Sequence, residues 1–310
     1  MPLDIVHHPD YDAKFPAHHR FPMGKYRFLM ESLERRGLTA DGALHVPEPV
    51  GAEILGLAHD PIYVEQVLSV SVPSPIEKEI GFPVDERIAR RAHLAVSGTL
   101  LAARMALAMG IACNTAGGSH HARRAQGAGF CTFNDVGVAA SALLAERAVR
   151  RVLVVDLDVH QGDGTADIFA DEPRVFTFSI HGERNYPARK IPSDLDIALP
   201  DGTGDEAYLR KLDQILPLLT DYARPDLVFY NAGVDAHETD RLGKLALTDD
   251  GLRRRDTAVI GHFRRGGVPV CGVIGGGYST DVPALAERHA ILFEVAAEFA
   301  DAGAAEPVSA

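Results

Sequence analysis

The segment Asp156-Leu157-Asp158-Val159-His160-Gln161-Gly162-Asp163-Gly164 places three carboxylates and an imidazole side by side in the chain. It directly follows the apolar run Val152-Leu153-Val154-Val155, which reads as a buried parallel strand. Ligating side chains thus crowd the carboxyl end of a core strand, where open α/β sheets bind their ligands. If the strand continues, alternate residues share a face, so Asp158 and His160 point the same way. An imidazole beside a carboxylate suits one borderline cation such as zinc. The plain alternative is a strand that ends in a solvated acidic turn.

Three further fragments fit the same site. One is Gly117-Gly118-Ser119-His120-His121, followed by Gly127-Ala128-Gly129-Phe130-Cys131-Thr132-Phe133-Asn134-Asp135. Another is Tyr230-Asn231-Ala232-Gly233-Val234-Asp235, again an apolar strand ending in a carboxylate. The last is Ile274-Gly275-Gly276-Gly277-Tyr278, a strand running into a glycine loop and a tyrosine. A pair of adjacent histidines alone would be an ordinary core or surface pair. All four fragments sit where a strand, or its following loop, reaches one edge of a sheet.

The elements that must position them alternate. Strands are expected at 110–114, 152–157, 175–180, 227–231 and 268–274. Helices are expected at 25–36, 87–109, 135–147, 206–219, 249–264 and 282–300, with Thr248 and either Thr280 or Asp281 as N-caps. Strand–helix alternation predicts a mostly parallel sheet covered on both faces. The segments 7–24, 70–86 and 181–204, rich in Pro, His and Gly, are expected as loops around the site.

The bulk numbers are those of an ordinary globular chain: 310 residues, 46% hydrophobic and 24% charged. The net charge of −12 argues against a nucleic-acid surface. Cys113, Cys131 and Cys271 have no CxxC spacing, which argues against a disulfide framework and for a reducing, cytoplasmic compartment. The first twenty residues, rich in His, Asp and Pro, do not read as a secretory signal. The longest apolar stretch, Leu94 to Cys113, contains Arg104 and many Ala and Gly residues; it reads as a core helix, with no membrane span expected.

On the His-His dyad, the GFC-x-x-ND run, the D-x-D-V-H-x-G-D-G run and the GGGY loop, in that order, the chain resembles the histone deacetylase family of metal-dependent amidohydrolases. The resemblance covers roughly residues 2–297. The stretches His19–Tyr26 and Asn231–Gly243 look most like the class IV branch and its bacterial relatives. It implies the arginase/deacetylase fold, a single three-layer αβα domain over residues 1–300, with 301–310 as a flexible tail.

Carried over residue by residue, the resemblance implies Asp158, His160 and Asp235 as ligands of zinc, with iron(II) as an alternative. Two carboxylates and an imidazole would offset the metal charge and leave an open position. His120 and His121 would be the paired histidines, bonded to Asp156 and Asp163 respectively, carboxylates that orient the rings and raise their basicity. His121 would serve as general base and acid, and His120 would contribute mainly charge. Tyr278 would donate to the developing oxyanion. Gly129, Phe130 and Gly276 would contact the substrate, Phe130 as the apolar wall of an acyl-lysine tunnel. A structural potassium is implied at Asp156, Ser179 and Ile180, among oxygens that suit a hard cation.

The substrate implied is an acyl-lysine protein or peptide, with acetyl or longer fatty acyl groups. Alternatives are a small acylated amine such as an acetylpolyamine, or an inactive acyl-lysine binder. Other readings are weaker. His7, His8, His18 and His19 read as a polar rim loop before they read as a metal cluster. Asp235-Ala236-His237 and Asp240 have the texture of binuclear ureohydrolases, but supply one obvious ligand. Gly275–Gly277 lacks the Lys-Ser/Thr of a phosphate loop. Tyr186 is either a rim residue or a plain surface tyrosine, and Arg123 and Arg124 read as solvated charges. The oligomeric state is not readable from the chain.

Overall fold

A computed structural model of the protein describes residues 2–15, 19–39 and 42–300. The expected tail at 301–310 and His18 lie outside the described residues. Eight strands form one sheet: β1 (Asp4–Val6), β2 (Leu44–His45), β3 (Ile111–Asn114), β4 (Val152–Asp156), β5 (Val175–Gly182), β6 (Leu195–Leu199), β7 (Leu227–Asn231) and β8 (Val270–Val273). Their order is β2-β1-β3-β8-β7-β4-β5-β6. Every pairing is parallel, so the sheet is wholly rather than mostly parallel.

The topology explains where the chemistry falls. The chain lays down β1, adds β2 outside it and β3 inside it, crosses to build the other half outward from β4, then returns to insert β7 and β8 between the halves. Strand order therefore reverses at the centre, the place where parallel sheets open a crevice. Register sharpens this: Asn114, Val273, Asn231, Asp156 and Ser179 lie in one row across five adjacent strands. The four motif fragments are the loops that begin just past that row.

Helices cover the sheet in two layers. One holds α1 (Lys25–Arg35), α8 (Asp205–Ala223), α9 (Asp249–Arg265) and α10 (Val282–Ala300), packed side by side. The other is built on α5 (Glu86–Met109) and α6 (Asp135–Ala145), joined by α2 (Ala52–Leu55), α3 (Pro61–Leu68) and α7 (Asp163–Phe169). The short helix α4 (Ser74–Ile80) lies in the segment expected to be a loop. This is the single α/β domain that the alternating pattern predicts.

Local signals set the boundaries. Asp85 caps α5 through the Ile88 N–H, and Gly110, at φ 94°, ends it. Thr248 caps α9 through Gly251, and Asp281 accepts from the Ala284 N–H at the start of α10. Among the described residues α5 is the one helix long and apolar enough to cross a bilayer, but 61% of its apolar window is buried against the rest of the fold. That burial is the packing of a core helix. The three cysteines are free and buried.

The elements missed by sequence pattern are short or masked by polarity. β1 and β2 have three and two residues, too few for a period to show. β6, Leu-Asp-Ile-Ala-Leu, hides in a Pro-rich stretch. α8 runs through Pro217 and on four residues past the expected end, before Arg224 turns left-handed at φ 43°.

Gly98 in α5 makes a sharp test of this packing. A Cβ there would collide with the Tyr11 hydroxyl and lie 2.9 Å from Asn114 Nδ2. Alanine normally gains about 1 kcal/mol over glycine inside a helix. Overpacking a filled core costs about 1–3 kcal/mol, and Tyr11 is wholly buried. Gly98→Ala should therefore lower the urea-unfolding free energy by up to about 2 kcal/mol; a gain would refute this contact.

Candidate active site

β4 ends at Asp156, one residue short of the expected boundary. Asp158 and His160 are therefore not brought together as alternate residues of a strand. A turn does it: Asp158 Oδ1 accepts the His160 N–H at 3.0 Å. The His160 ring nitrogen Nδ1 lies 3.0 Å from both Asp158 Oδ1 and Asp235 Oδ2. Asp235 arrives four residues past β7, and its other oxygen accepts the Val159 N–H at 2.8 Å. All three side chains are buried, and their ligating atoms lie within 4.8 Å of one another.

This donor set fits a divalent cation. Burial, together with the charge of Asp158, pushes the Asp235 carboxyl up to about 7. Two carboxylates this close and this dry cannot both ionise unless a positive charge joins them. Two carboxylates and an imidazole are also a familiar ligand set for zinc and related ions.

The histidine pair follows β3. The rings of His120 and His121 stand 4.0 Å apart. His120 Nδ1 donates to Asp156 Oδ2 at 2.7 Å, and His121 Nδ1 donates to Asp163 Oδ1 at 2.6 Å. These bonds leave Nε2 of each ring available. The two rings are electrically unlike. Burial alone would lower His120, but the carboxylates of Asp156 and Asp158 outweigh it and hold the ring up at about 9. Burial and the charge of His120 push His121 down to about 3, against the pull of Asp163.

Tyr278 is buried, with its ring edge-on to His160 at 6.0 Å and tilted against Phe130 at 5.8 Å. Burial, then the nearby carboxylates, raise its hydroxyl well above the usual tyrosine range, so it stays a donor. Its backbone N–H is held by Asp240 at 2.7 Å. Asp240 also accepts from the Leu242 and Gly243 N–H groups, so it fixes loops and stands outside the ligand cluster. His237 faces Thr239 and Asp249, likewise outside the cluster.

Close approach explains two glycines. The Gly276 N–H donates to Asp158 Oδ2 at 2.7 Å. A Cβ at Gly276 would collide with Asp235 Oδ2, so the glycine loop closes over carboxylates and does not cradle phosphate. Gly129 has φ 53°, and a Cβ there would meet the His121 ring. Phe130 adopts φ 67°, which a bulky residue rarely does. Two backbone bonds hold it: Gly129 N–H to Glu79 at 2.9 Å and Phe130 N–H to Ile80 at 2.7 Å. The end of α4 thus anchors the wall, and Phe130 stacks on Phe82.

These residues surround a pocket of about 340 Å³ that reaches His121, His160 and Tyr278. Tyr186 belongs to its lining, edge-on to His121 at 4.8 Å. Ser179 lies beside Asp156 in register, followed by Ile180; the Ser179 hydroxyl is 3.1 Å from His181 Nδ1. Arg123, expected as a solvated charge, is bound to Asp163 Oδ2 at 2.8 Å. His7 and His8 pair with Thr115 and the Asp10 N–H, and His19 accepts from the Phe21 N–H; none joins the ligand cluster.

Several supporting residues carry roles that motif reading does not assign, although Asp135, Asn231 and Lys25 lie within motif stretches. Asp135 accepts from the Ser119 and Gly118 N–H groups and from Thr99, which sets the loop that carries the histidines. Asn231 donates to Asp156 at 2.9 Å. Lys25, buried in α1, donates to the Gly275 carbonyl at 3.0 Å. Arg255, fully buried in α9, donates to the carbonyls of Gly233 at 2.6 Å and Leu157 at 3.3 Å, and to Asp256 at 2.9 Å. A signal existed for Arg255. The buried face of α9 is Leu252, Arg255, Asp256, Val259, Ile260 and Phe263, so the ion pair occupies the apolar phase of the helix.

A parallel α/β domain with a buried Asp-His-Asp group able to take a metal is the class that this edge of the sheet defines. The histone deacetylase domain profile matches residues 19–293. An uncharacterized protein of a Picosynechococcus species is 45% identical over 96% of this chain and 99% of its own. Histone deacetylase 2 of Arabidopsis thaliana is 30% identical over 89% of this chain and 74% of its own. Among solved structures, the HDA15 HD domain superposes with a TM-score of 0.80, at 22% identity over 96% of this chain and 89% of that one. Acetylpolyamine aminohydrolase from Burkholderia pseudomallei gives 0.76, at 23% identity over 94% and 98%. The chain belongs to the histone deacetylase family.

Arg255 underpins the loops that carry Asp158 and Asp235. Removing one partner of a buried pair costs about 3–5 kcal/mol. Arg255→Met should lower the unfolding free energy by that order in urea titration; a loss under about 1 kcal/mol would mean that the pair is not needed.

Proposed function

We propose that the protein is a metal-dependent deacylase that hydrolyses the side-chain amide of N-acyl-lysine in proteins or peptides. The carrying observation is a pocket walled by Phe130 and Tyr186 that ends on His121, His160 and Tyr278. An aliphatic lysine stem suits such walls, and its amide would meet the polar floor. Asp158, His160 and Asp235 would hold zinc or iron(II). Bound there, such an ion polarises the scissile carbonyl and lowers the pKa of a water.

The chain's own groups take the remaining roles in this reading. His121, neutral and tethered by Asp163, accepts a proton on Nε2 from the attacking water and returns it to the leaving lysine amine. His120, held cationic by Asp156, contributes charge. Tyr278 donates to the oxyanion. Gly129 and Gly276 give the substrate and the carboxylates room. A structural potassium at Asp156, Ser179 and Ile180 is part of the same proposal, as are class IV placement and acceptance of long acyl chains.

A small acylated amine is the second reading, since the fold is shared with an acetylpolyamine aminohydrolase. The deciding assay is hydrolysis by zinc-loaded protein of acetyl-, octanoyl- and myristoyl-lysine peptides beside acetylated polyamines. Turnover of lysine peptides is the expected result; turnover of polyamines alone would move the substrate class. Metal binding with no turnover would leave an acyl-lysine binder.

Tyr278→Phe should fold normally and lose about 10²–10³ in kcat; an unchanged kcat would remove Tyr278 from the chemistry. Dialysis against zinc followed by elemental analysis should give one ion per chain, lost in Asp235→Asn. Retention of the full amount in that variant would place the metal elsewhere.

A further inference from the structure

The mouth of the pocket carries charges for which the hydrolysis has no use. Arg20, Arg184 and Lys244 line it with a single carboxylate, Glu79, and all four are exposed. Arg184 is paired with Asp201 at 2.7 Å. Among the described residues, neither Arg20 nor Lys244 has a carboxylate partner. Lys244 is held in place nonetheless: its Nζ donates to the Arg184 carbonyl at 3.1 Å and its backbone N–H to Asn185 Oδ1 at 3.2 Å. Asn185 in turn donates to the Leu242 carbonyl at 2.8 Å, so the loops bearing Arg184 and Lys244 are stitched together. The chain as a whole carries −12, so this cationic mouth reverses the overall sign.

We infer that Arg20, Arg184 and Lys244 form a rim that selects acyl-lysine segments flanked by acidic residues and disfavours polycationic amines. The inference rests on the deacylase reading and deepens it. With an acylated lysine in the pocket, its neighbours in the peptide lie over the rim, where carboxylates meet cations. The remaining ammonium groups of an acetylpolyamine would meet like charges there, chiefly Arg20 and Lys244, since Asp201 already answers Arg184 and Glu79 offsets one more charge. Exposed charge pairs are individually weak and are screened by salt. The effect is therefore a preference.

Binding and turnover of acetyl-lysine peptides of one length, flanked by Asp/Glu, Gly/Ser or Lys/Arg, would be measured beside N-acetylspermidine, with and without zinc. Affinity should fall from acidic to neutral to basic, by about threefold to tenfold across the series, and the order should collapse at about 1 M salt. The double variant Arg20→Glu, Lys244→Glu should invert it. Lys211→Glu, exposed on α8 and outside the pocket, should keep it and so controls for net charge. Equal affinities across the series, an order that persists in the double variant, or no peptide binding at all would overturn the inference. Charge-ordered binding without turnover would retire the deacylase reading and leave the rim; turnover without charge order would do the reverse.

Discussion

Three buried carboxylates, Asp156, Asp158 and Asp235, meet at the carboxyl ends of β4 and β7, and the surrounding structure is arranged to make that tolerable. Burying like charges together is unfavourable unless hydrogen bonds and cations answer them. Here the answer is distributed. Asp156 receives His120 and Asn231, Asp158 receives the His160 and Gly276 N–H groups, and Asp235 receives the Val159 N–H. Beneath them Arg255 binds the carbonyls of Leu157 and Gly233, so one guanidinium ties both acid-bearing loops to α9. A cation among Asp158, His160 and Asp235 would complete this compensation.

The parallel sheet makes such crowding geometrically available. Because every strand runs the same way, all strand ends reach one edge, and the central reversal of strand order brings the loops after β3, β4, β7 and β8 together. Backbone approach then becomes the limiting dimension. Gly276 sits so near two carboxylates that any side chain would collide, and Gly129 so near His121 that only a left-handed glycine fits comfortably. The neighbouring Phe130 shares that left-handed backbone without the excuse of a missing side chain. Two bonds from the end of α4 hold it there, which links a surface helix to the shape of the pocket.

What the sequence made legible follows from range. Asp156, Asp158, His160 and Asp163 form one contiguous string after an apolar strand, so their meeting needs little tertiary information. Asp235, His120, His121 and Tyr278 could be joined to them because each follows a similar strand or glycine signal. The turn that brings His160 onto Asp158 was not legible, since periodicity cannot tell a strand's last residue from a bend. Arg255 was hidden differently. It sits in the run Arg253-Arg254-Arg255, where only helical phase separates a buried arginine from its two neighbours. Lys25 is the same case on α1, in phase with Tyr26, Leu29, Met30 and Leu33. Tertiary context, not residue type, decides which member of such a set is buried.

The histidine pair shows how two identical residues acquire opposite properties. Both rings are buried and both are bonded to a carboxylate through Nδ1. Asp156 has a second acid, Asp158, close by, and together they hold His120 cationic. Asp163, which also binds Arg123, does not outweigh burial and the charges of His120 and His160 at His121. The cation on His120 then lies against His121 at 4.0 Å and disfavours a second charge. One imidazole is thus neutral beside a charged one, and the difference follows from burial of both rings and from the second acid that only His120 has nearby.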